Sequence, residues 1–81
     1  MNEVEQLHGW TLSQRLANFL LNRASDDNEV TMTQQEIAGH LGNSREVVAR
    51  VLGELSKKRL ITTGRGKICL TNTAGLASLL S

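Results

Sequence analysis

Cysteine, aromatic residues and long apolar runs are scarce in this chain of 81 residues. The single cysteine, Cys69, excludes an internal disulfide bond and fits a reducing, cytoplasmic location. No stretch approaches the roughly 18 apolar residues of a membrane-spanning helix, and the polar, acidic amino terminus is unlike a secretory signal. With 40% apolar but only 2% aromatic residues, the composition favours one small, helix-rich domain packed by aliphatic side chains.

Motifs for catalysis or metal binding are equally scarce. His8 and His40 stand apart, without the Cys/His spacing of a zinc site. The sequence GRGK, residues 64–67, lacks the spacing and the following helix of a phosphate-binding loop. Cys69 has no partner base nearby, so we expect a packed thiol on a strand. We therefore expect neither an enzyme nor a bound metal or cofactor.

The net charge of +1 conceals an asymmetry between the two parts of the chain. Residues 1–30 carry two arginines against five carboxylates, a net −3, whereas residues 31–81 carry seven basic against three acidic side chains, a net +4. A basic part beside an acidic part indicates a polyanionic partner for one face. Because charge clusters are usually just solvated, the positions of the basic residues decide the interpretation.

Two capping boxes predict where helices begin. Thr11 followed by Gln14 opens a first helix, and Thr33 followed by Glu36 opens a second, which Gly42 ends in a left-handed turn. The apolar stripe predicted for the first helix consists of Leu12, Leu16, Phe19, Leu20 and Ala24.

A third helix is predicted from its N-cap, Ser44, to about Lys58. Its buried stripe consists of Val48, Val51, Leu52 and Leu55. At about 100° per residue, the opposite face consists of Glu46, Arg50, Gly53 and Lys57. Arg45 lies between the two faces, but in the first turn, from which a long side chain projects past the helix end.

Alternating residues 29–32 predict a short strand, and residues 60–70, with glycines at their centre, predict a β-hairpin that this strand could join. Leu76, Leu79 and Leu80 favour a short carboxy-terminal helix. The order helix, strand, helix, helix, hairpin predicts an α+β fold, the winged helix-turn-helix, over residues 11–81. Residues 1–10 would then be the end of a preceding helix.

The helix-turn-helix prediction rests on Ala38, Gly42 and Val48, which keep the spacing of a small contact residue, a turn glycine and a locking apolar residue. The third helix would then offer Arg45, Glu46 and Arg50 to base edges in the DNA major groove. Arginine matches guanine and glutamate matches cytosine as donor and acceptor. Alternatively, Glu46 and Arg50 form only a surface ion pair, worth about 0.2–0.5 kcal/mol.

Residues 33–61, TQQEIAGHLGNSREVVARVLGELSKKRLI, strongly resemble the DNA-binding domain of the Crp/Fnr transcription regulators, most of all the catabolite-activator (cyclic-AMP receptor) branch. The resemblance covers about residues 11–70, and S-R-E-x-x-x-R is its most specific part. It implies a cytoplasmic, bacterial DNA-binding protein whose recognition helix, residues 44–58, contacts a TGTGA-like half-site.

The resemblance also implies a role for each base-reading residue. Arg45 would contact the O6/N7 edge of a guanine, and Glu46 would accept from the N4 amine of a cytosine. Arg50 would reach a second guanine or that same base step. Val47 replaces a frequent threonine of the family, with the loss of a hydroxyl near the DNA backbone.

Six further residues are implied as phosphate contacts. They are Thr33, Gln34, Gln35, Ser44, Arg65 and Lys67. Gln34 stands where the catabolite-activator branch has a basic residue, which weakens that contact. Thr33 and Ser44 also act as helix caps, and Arg65 and Lys67 on the predicted wing could instead be solvated cations.

The sensor of the Crp/Fnr family, a β-roll followed by a long dimerisation helix, does not fit within this sequence. We therefore expect part of a longer regulator that binds no cyclic nucleotide, haem or iron–sulfur cluster itself. The expected partners are double-stranded DNA, RNA polymerase as a further candidate, and a second copy in the full-length parent. We expect the isolated domain to be monomeric or weakly associating, with no membrane contact.

Two other interpretations of the sequence remain open. The chain could be a free-standing small repressor that dimerises through its terminal helices. It could also be a winged helix that binds another protein through the face carrying Arg45, Glu46 and Arg50.

Overall fold

The elements follow the predicted order in a computed structural model that describes residues 9–80. The end of a preceding helix predicted over residues 1–10 lies mostly outside these residues. The elements are α1 (Leu12–Arg23), β1 (Glu29–Val30), α2 (Gln34–Leu41), α3 (Arg45–Lys57), β2 (Ile61–Gly64), β3 (Lys67–Leu70) and α4 (Thr73–Ser78). The winged helix-turn-helix prediction is confirmed.

Side-chain caps begin the first three helices at the predicted residues. The Thr11 hydroxyl accepts from the Gln14 amide at 3.2 Å, and the Gln14 side chain accepts from the Thr11 amide at 2.9 Å. Thr33 and Glu36 repeat this exchange at 3.1 and 2.8 Å. The Ser44 hydroxyl accepts from the Val47 amide at 3.2 Å. Each such cap contributes about 0.5–2 kcal/mol and fixes where its helix starts.

The turn between α2 and α3 is held by backbone geometry and by one long-range contact. Gly42 adopts φ 67° and ψ 36°, the left-handed conformation that favours glycine. The Leu41 carbonyl accepts from Arg15 Nη2 of α1 at 2.9 Å and from Asn43 Nδ2 at 3.4 Å. Because Arg15 reaches the last carbonyl of α2, α1 helps to fix the direction in which α3 leaves the turn.

Helix α3 packs against α1, α2 and β2, and its apolar stripe is buried as predicted. The core residues of the described part are Leu16, Ala17, Leu20, Val30, Ile37, Ala38, Leu41, Val48, Val51, Leu52, Leu55, Leu60, Ile61, Ile68, Leu70 and Leu76. From the predicted α1 stripe, Leu12, Phe19 and Ala24 are only partly buried and pack against the core edge.

The three strands form one antiparallel sheet in the order β1-β3-β2. The first strand is shorter than predicted, because β1 pairs only at Glu29 with Cys69 and at Val30 with Ile68. The chain then leaves the sheet for the cap of α2, and Met32 packs on the core without pairing. Strands β2 and β3 form the wing, in which Gly64 pairs with Lys67 across a tight turn.

Alanine substitutions at two helical glycines, Gly75 in α4 and Gly39 in α2, should change the stability of the domain in opposite directions. A Cβ at Gly75 would lie 2.5 Å from Leu60 Cδ2 and 2.9 Å from Asn72 Nδ2, so Gly75→Ala should cost about 1–3 kcal/mol. At Gly39 in α2 a Cβ would meet nothing within 4 Å, and Gly39→Ala should stabilise by about 0.5–1 kcal/mol. Urea midpoints that move in the same direction for both variants would contradict this packing.

Candidate nucleic-acid interface

The three predicted base-reading residues lie on the solvent side of α3. Arg45, Glu46 and Arg50 are all exposed, whereas the stripe on the other side of the helix is buried. Glu46 and Arg50 are one turn apart, yet the one salt bridge that residues 9–80 contain joins Lys67 to Glu29. The surface ion pair offered as an alternative is therefore not formed, and both side chains are available to a ligand.

A groove of about 640 Å³ lies between the amino-terminal ends of α2 and α3 and the tip of the wing. Its lining residues are Thr33, Gln34, Gln35, Arg45, Gly64, Arg65 and Gly66. Gly66 adopts φ 64°, which lets the wing turn tightly beside the helices. The fold thus brings five of the nine predicted site residues to one open groove.

A second groove separates α2 from α3 and continues the first one. It is lined by Gln35, Ala38, Gly39, Asn43, Ser44, Arg45 and Glu46. Gln35 and Arg45 line both grooves, so seven of the nine predicted residues share one continuous surface. Arg50 lies farther along α3, and Lys67 lies on the outer face of the sheet.

Both helix starts suit an anion at this surface. The first N–H groups of an α-helix have no partner within the helix, and the helix dipole is positive at that end. Here these groups belong to Gln34 and Gln35 in α2 and to Arg45 and Glu46 in α3. The Thr33 and Ser44 hydroxyls accept in their caps, and their own O–H remains free to donate. Capping and phosphate binding are therefore compatible at both residues.

Glu29 was not among the predicted site residues, yet it contacts one of them. Its Oε2 lies 3.6 Å from Lys67 Nζ and accepts from Cys69 Sγ at 3.8 Å. Cys69 is half-buried on β3, with Glu29 as its side-chain partner. The alternation of residues 29–32 predicted a strand, but not its register against β3, and the register is what places Glu29 beside Lys67.

The structure also bears on metal binding and on membrane spanning. Residues 9–80 contain no cluster of three or more histidine, cysteine or carboxylate side chains that could hold a metal ion. In the same part of the chain, none of the helices has the length and hydropathy needed to span a bilayer. The surface at α2, α3 and the wing offers backbone amides, hydroxyls, amide side chains, the Glu46 carboxylate and guanidinium groups.

A capped helix-turn-helix beside a hairpin wing, with arginines and unpaired amides on one surface, defines the class of winged helix-turn-helix DNA-binding domains. The protein-family model of the Crp-like helix-turn-helix domain matches residues 14–79 of this chain. The chain belongs to the Crp/Fnr family of transcription regulators.

Individual relatives agree with this assignment. The transcriptional regulator SdrP of Thermus thermophilus is 33% identical over 84 residues, which cover 94% of this chain and 42% of SdrP. In a solved structure, a Crp/Fnr-family regulator from Eubacterium rectale has 37% identity and a TM-score of 0.88, over 95% of this chain and 37% of its own. The solved structure of a Crp/Fnr-family regulator from Thermus thermophilus has 31% identity and a TM-score of 0.86. This match covers 98% of this chain and 45% of that regulator.

These likenesses establish DNA binding in transcription regulation as the role of the domain. The relatives are regulators rather than enzymes. The chain spans less than half the length of each relative.

Proposed function

We propose that the domain places α3 in the DNA major groove and binds a TGTGA-like half-site of the catabolite-activator type. Arg45 donates to a guanine, Glu46 accepts from a cytosine amine, and Arg50 reaches a second guanine or the same step. The observation that supports this most is the unpaired exposure of all three side chains on α3, beside a groove built from two helix starts.

Contacts to the DNA backbone would fix the register of α3 in the groove. Thr33, Gln35 and Ser44 would donate to phosphates through side chains and helix-start amides, with Gln34 as a weaker neutral contact. Arg65 at the wing tip and Lys67, the first residue of β3 beside that tip, would add cations for an adjacent phosphate. Phosphate contacts carry no base information, so sequence preference should depend on α3 alone.

We also propose that the domain is one part of a longer regulator. The family resemblance supports a longer regulator whose sensor and dimerisation helix precede the domain. A dimer would then bind two half-sites about 34–36 Å apart, whereas one copy of this domain binds one half-site weakly. Effector binding would belong to the preceding part, and RNA polymerase is a candidate partner of the assembled regulator.

Titration of two duplexes against salt tests the proposed function. One duplex carries TGTGA and the other carries the same bases scrambled, each titrated by fluorescence anisotropy between about 50 and 200 mM salt. We expect tighter binding to TGTGA at every salt concentration and a loss of affinity for both duplexes as salt rises. Equal, salt-insensitive binding would overturn the proposal and favour a winged helix that binds protein.

A further inference from the structure

The outer face of the sheet carries a contact between acidic and basic residues that the DNA-binding role does not use. Glu29 pairs with Cys69 across β1 and β3, and Lys67 lies two residues from Cys69 along β3. Side chains two apart on a strand share a face, and so do directly paired ones. The register therefore places the Glu29 carboxylate next to Lys67, at 3.6 Å from its ammonium nitrogen.

We propose that Glu29 restrains Lys67 and thereby lowers the affinity of the wing for DNA. The inference rests on the proposed function, since it assigns to Glu29 the regulation of a wing cation that would contact phosphate. In the free protein the Glu29 carboxylate lies 3.6 Å from the Lys67 ammonium group and partly offsets its charge, so a phosphate competes with Glu29 for that group. The residues that set the wing charge are Glu29, Arg65 and Lys67, and their sum is +1 rather than +2.

The exposure of both partners makes this exchange feasible. The Lys67 side chain is 51% exposed and the Glu29 side chain 36% exposed, so water screens the pair and neither group is locked by burial. A phosphate offers the ammonium group an equally charged acceptor. Once Lys67 contacts the phosphate, Glu29 stays near the wing without its cationic partner. Its negative charge then repels the phosphate.

Salt dependence separates this role from a purely structural one. Each phosphate that a cation neutralises contributes about −0.9 to the slope of log affinity against log salt. A Lys67 restrained by Glu29 contributes less than its full share. Removal of the Glu29 charge should therefore steepen the slope, whereas a residue that only joined β1 to β3 would change the unfolding temperature and leave the slope unchanged.

Four proteins test the proposal: the wild type, Glu29→Gln, Lys67→Gln and the double variant. Each is titrated with the scrambled duplex, after circular dichroism has verified equal folding. We expect Glu29→Gln to bind more tightly than the wild type, with a slope steeper by up to about 0.9. Its advantage in affinity should therefore fall by up to about 3.5-fold between 50 and 200 mM salt. In the Lys67→Gln background, Glu29→Gln should change the slope by less than half as much. Asp27→Asn, the same charge change in the exposed 25–28 loop, is the control and should leave the slope unchanged.

Three outcomes are informative. An unchanged slope in Glu29→Gln, or an equal effect of Glu29→Gln with and without Lys67, overturns the proposal and leaves a preference for TGTGA unaffected. A steeper slope without any preference for TGTGA supports the role of Glu29 and overturns the half-site. A wild-type protein that binds neither duplex overturns both.

Discussion

Arg45→Ala should weaken binding to the TGTGA duplex by about 1–3 kcal/mol, which is about 5- to 150-fold in dissociation constant. The guanidinium group would donate two hydrogen bonds to one guanine edge, and alanine offers none. Arg45 is exposed and begins α3, where alanine is a good helix former, so the fold should be unaffected. Affinity for the scrambled duplex should fall less, because only a general attraction to phosphate is lost there.

Lys58→Ala is the matched control for this variant. Lys58 is an exposed cation at the other end of α3, about 20 Å from Arg45 along the helix axis. The substitution removes the same charge, and we expect it to weaken binding to both duplexes slightly and equally. If Arg45→Ala and Lys58→Ala gave the same ratio of affinities for the two duplexes, Arg45 would contribute charge and no base contact.

Leu52→Ala should destabilise the domain by about 2–5 kcal/mol. Leu52 is fully buried in the α3 stripe, where the helix packs against α1, α2 and β2. Domains are stable by only about 5–15 kcal/mol in total, so the variant would lose a large share of that free energy. Urea unfolding followed by circular dichroism measures the loss as a lower midpoint with an unchanged slope.

Leu79→Ala provides the comparison for this prediction. Leu79 is only partly buried after α4, so its truncation should cost clearly less than that of Leu52. An equal effect of the two variants would contradict the placement of the core under α3. The folded fraction of Leu52→Ala should keep its preference for TGTGA, which distinguishes a loss of stability from the loss of base contact expected of Arg45→Ala.

Local features of the fold could be predicted because short segments determine them. Both capping boxes use partners three residues apart, and the Gly42 turn follows from the conformational freedom of one residue. The stripe Val48, Val51, Leu52 and Leu55 was predicted from the period of the helix alone.

Contacts between distant segments could not be predicted in the same way. Arg15 lies 26 residues from the Leu41 carbonyl that it holds, and this pairing depends on how α1 crosses the turn. The contact of Glu29 with Lys67 depends on strand register, which alternation does not fix. Strand β1 ends early because the chain leaves the sheet for the cap of α2 at Thr33. The exposure of Arg45, Glu46 and Arg50 was predicted correctly, whereas the bases proposed as their targets rest on resemblance.

The most direct test of the central claim is a comparison of single base-pair substitutions in the TGTGA duplex. Wild type and Arg45→Ala are each titrated with the parent duplex and with duplexes in which one G·C pair is replaced. We predict that the wild type loses about 1–3 kcal/mol at each replaced pair, and that Arg45→Ala becomes indifferent at one of them only. If Arg45→Ala bound every duplex more weakly but with the wild-type order of preference, base reading by Arg45 would be contradicted.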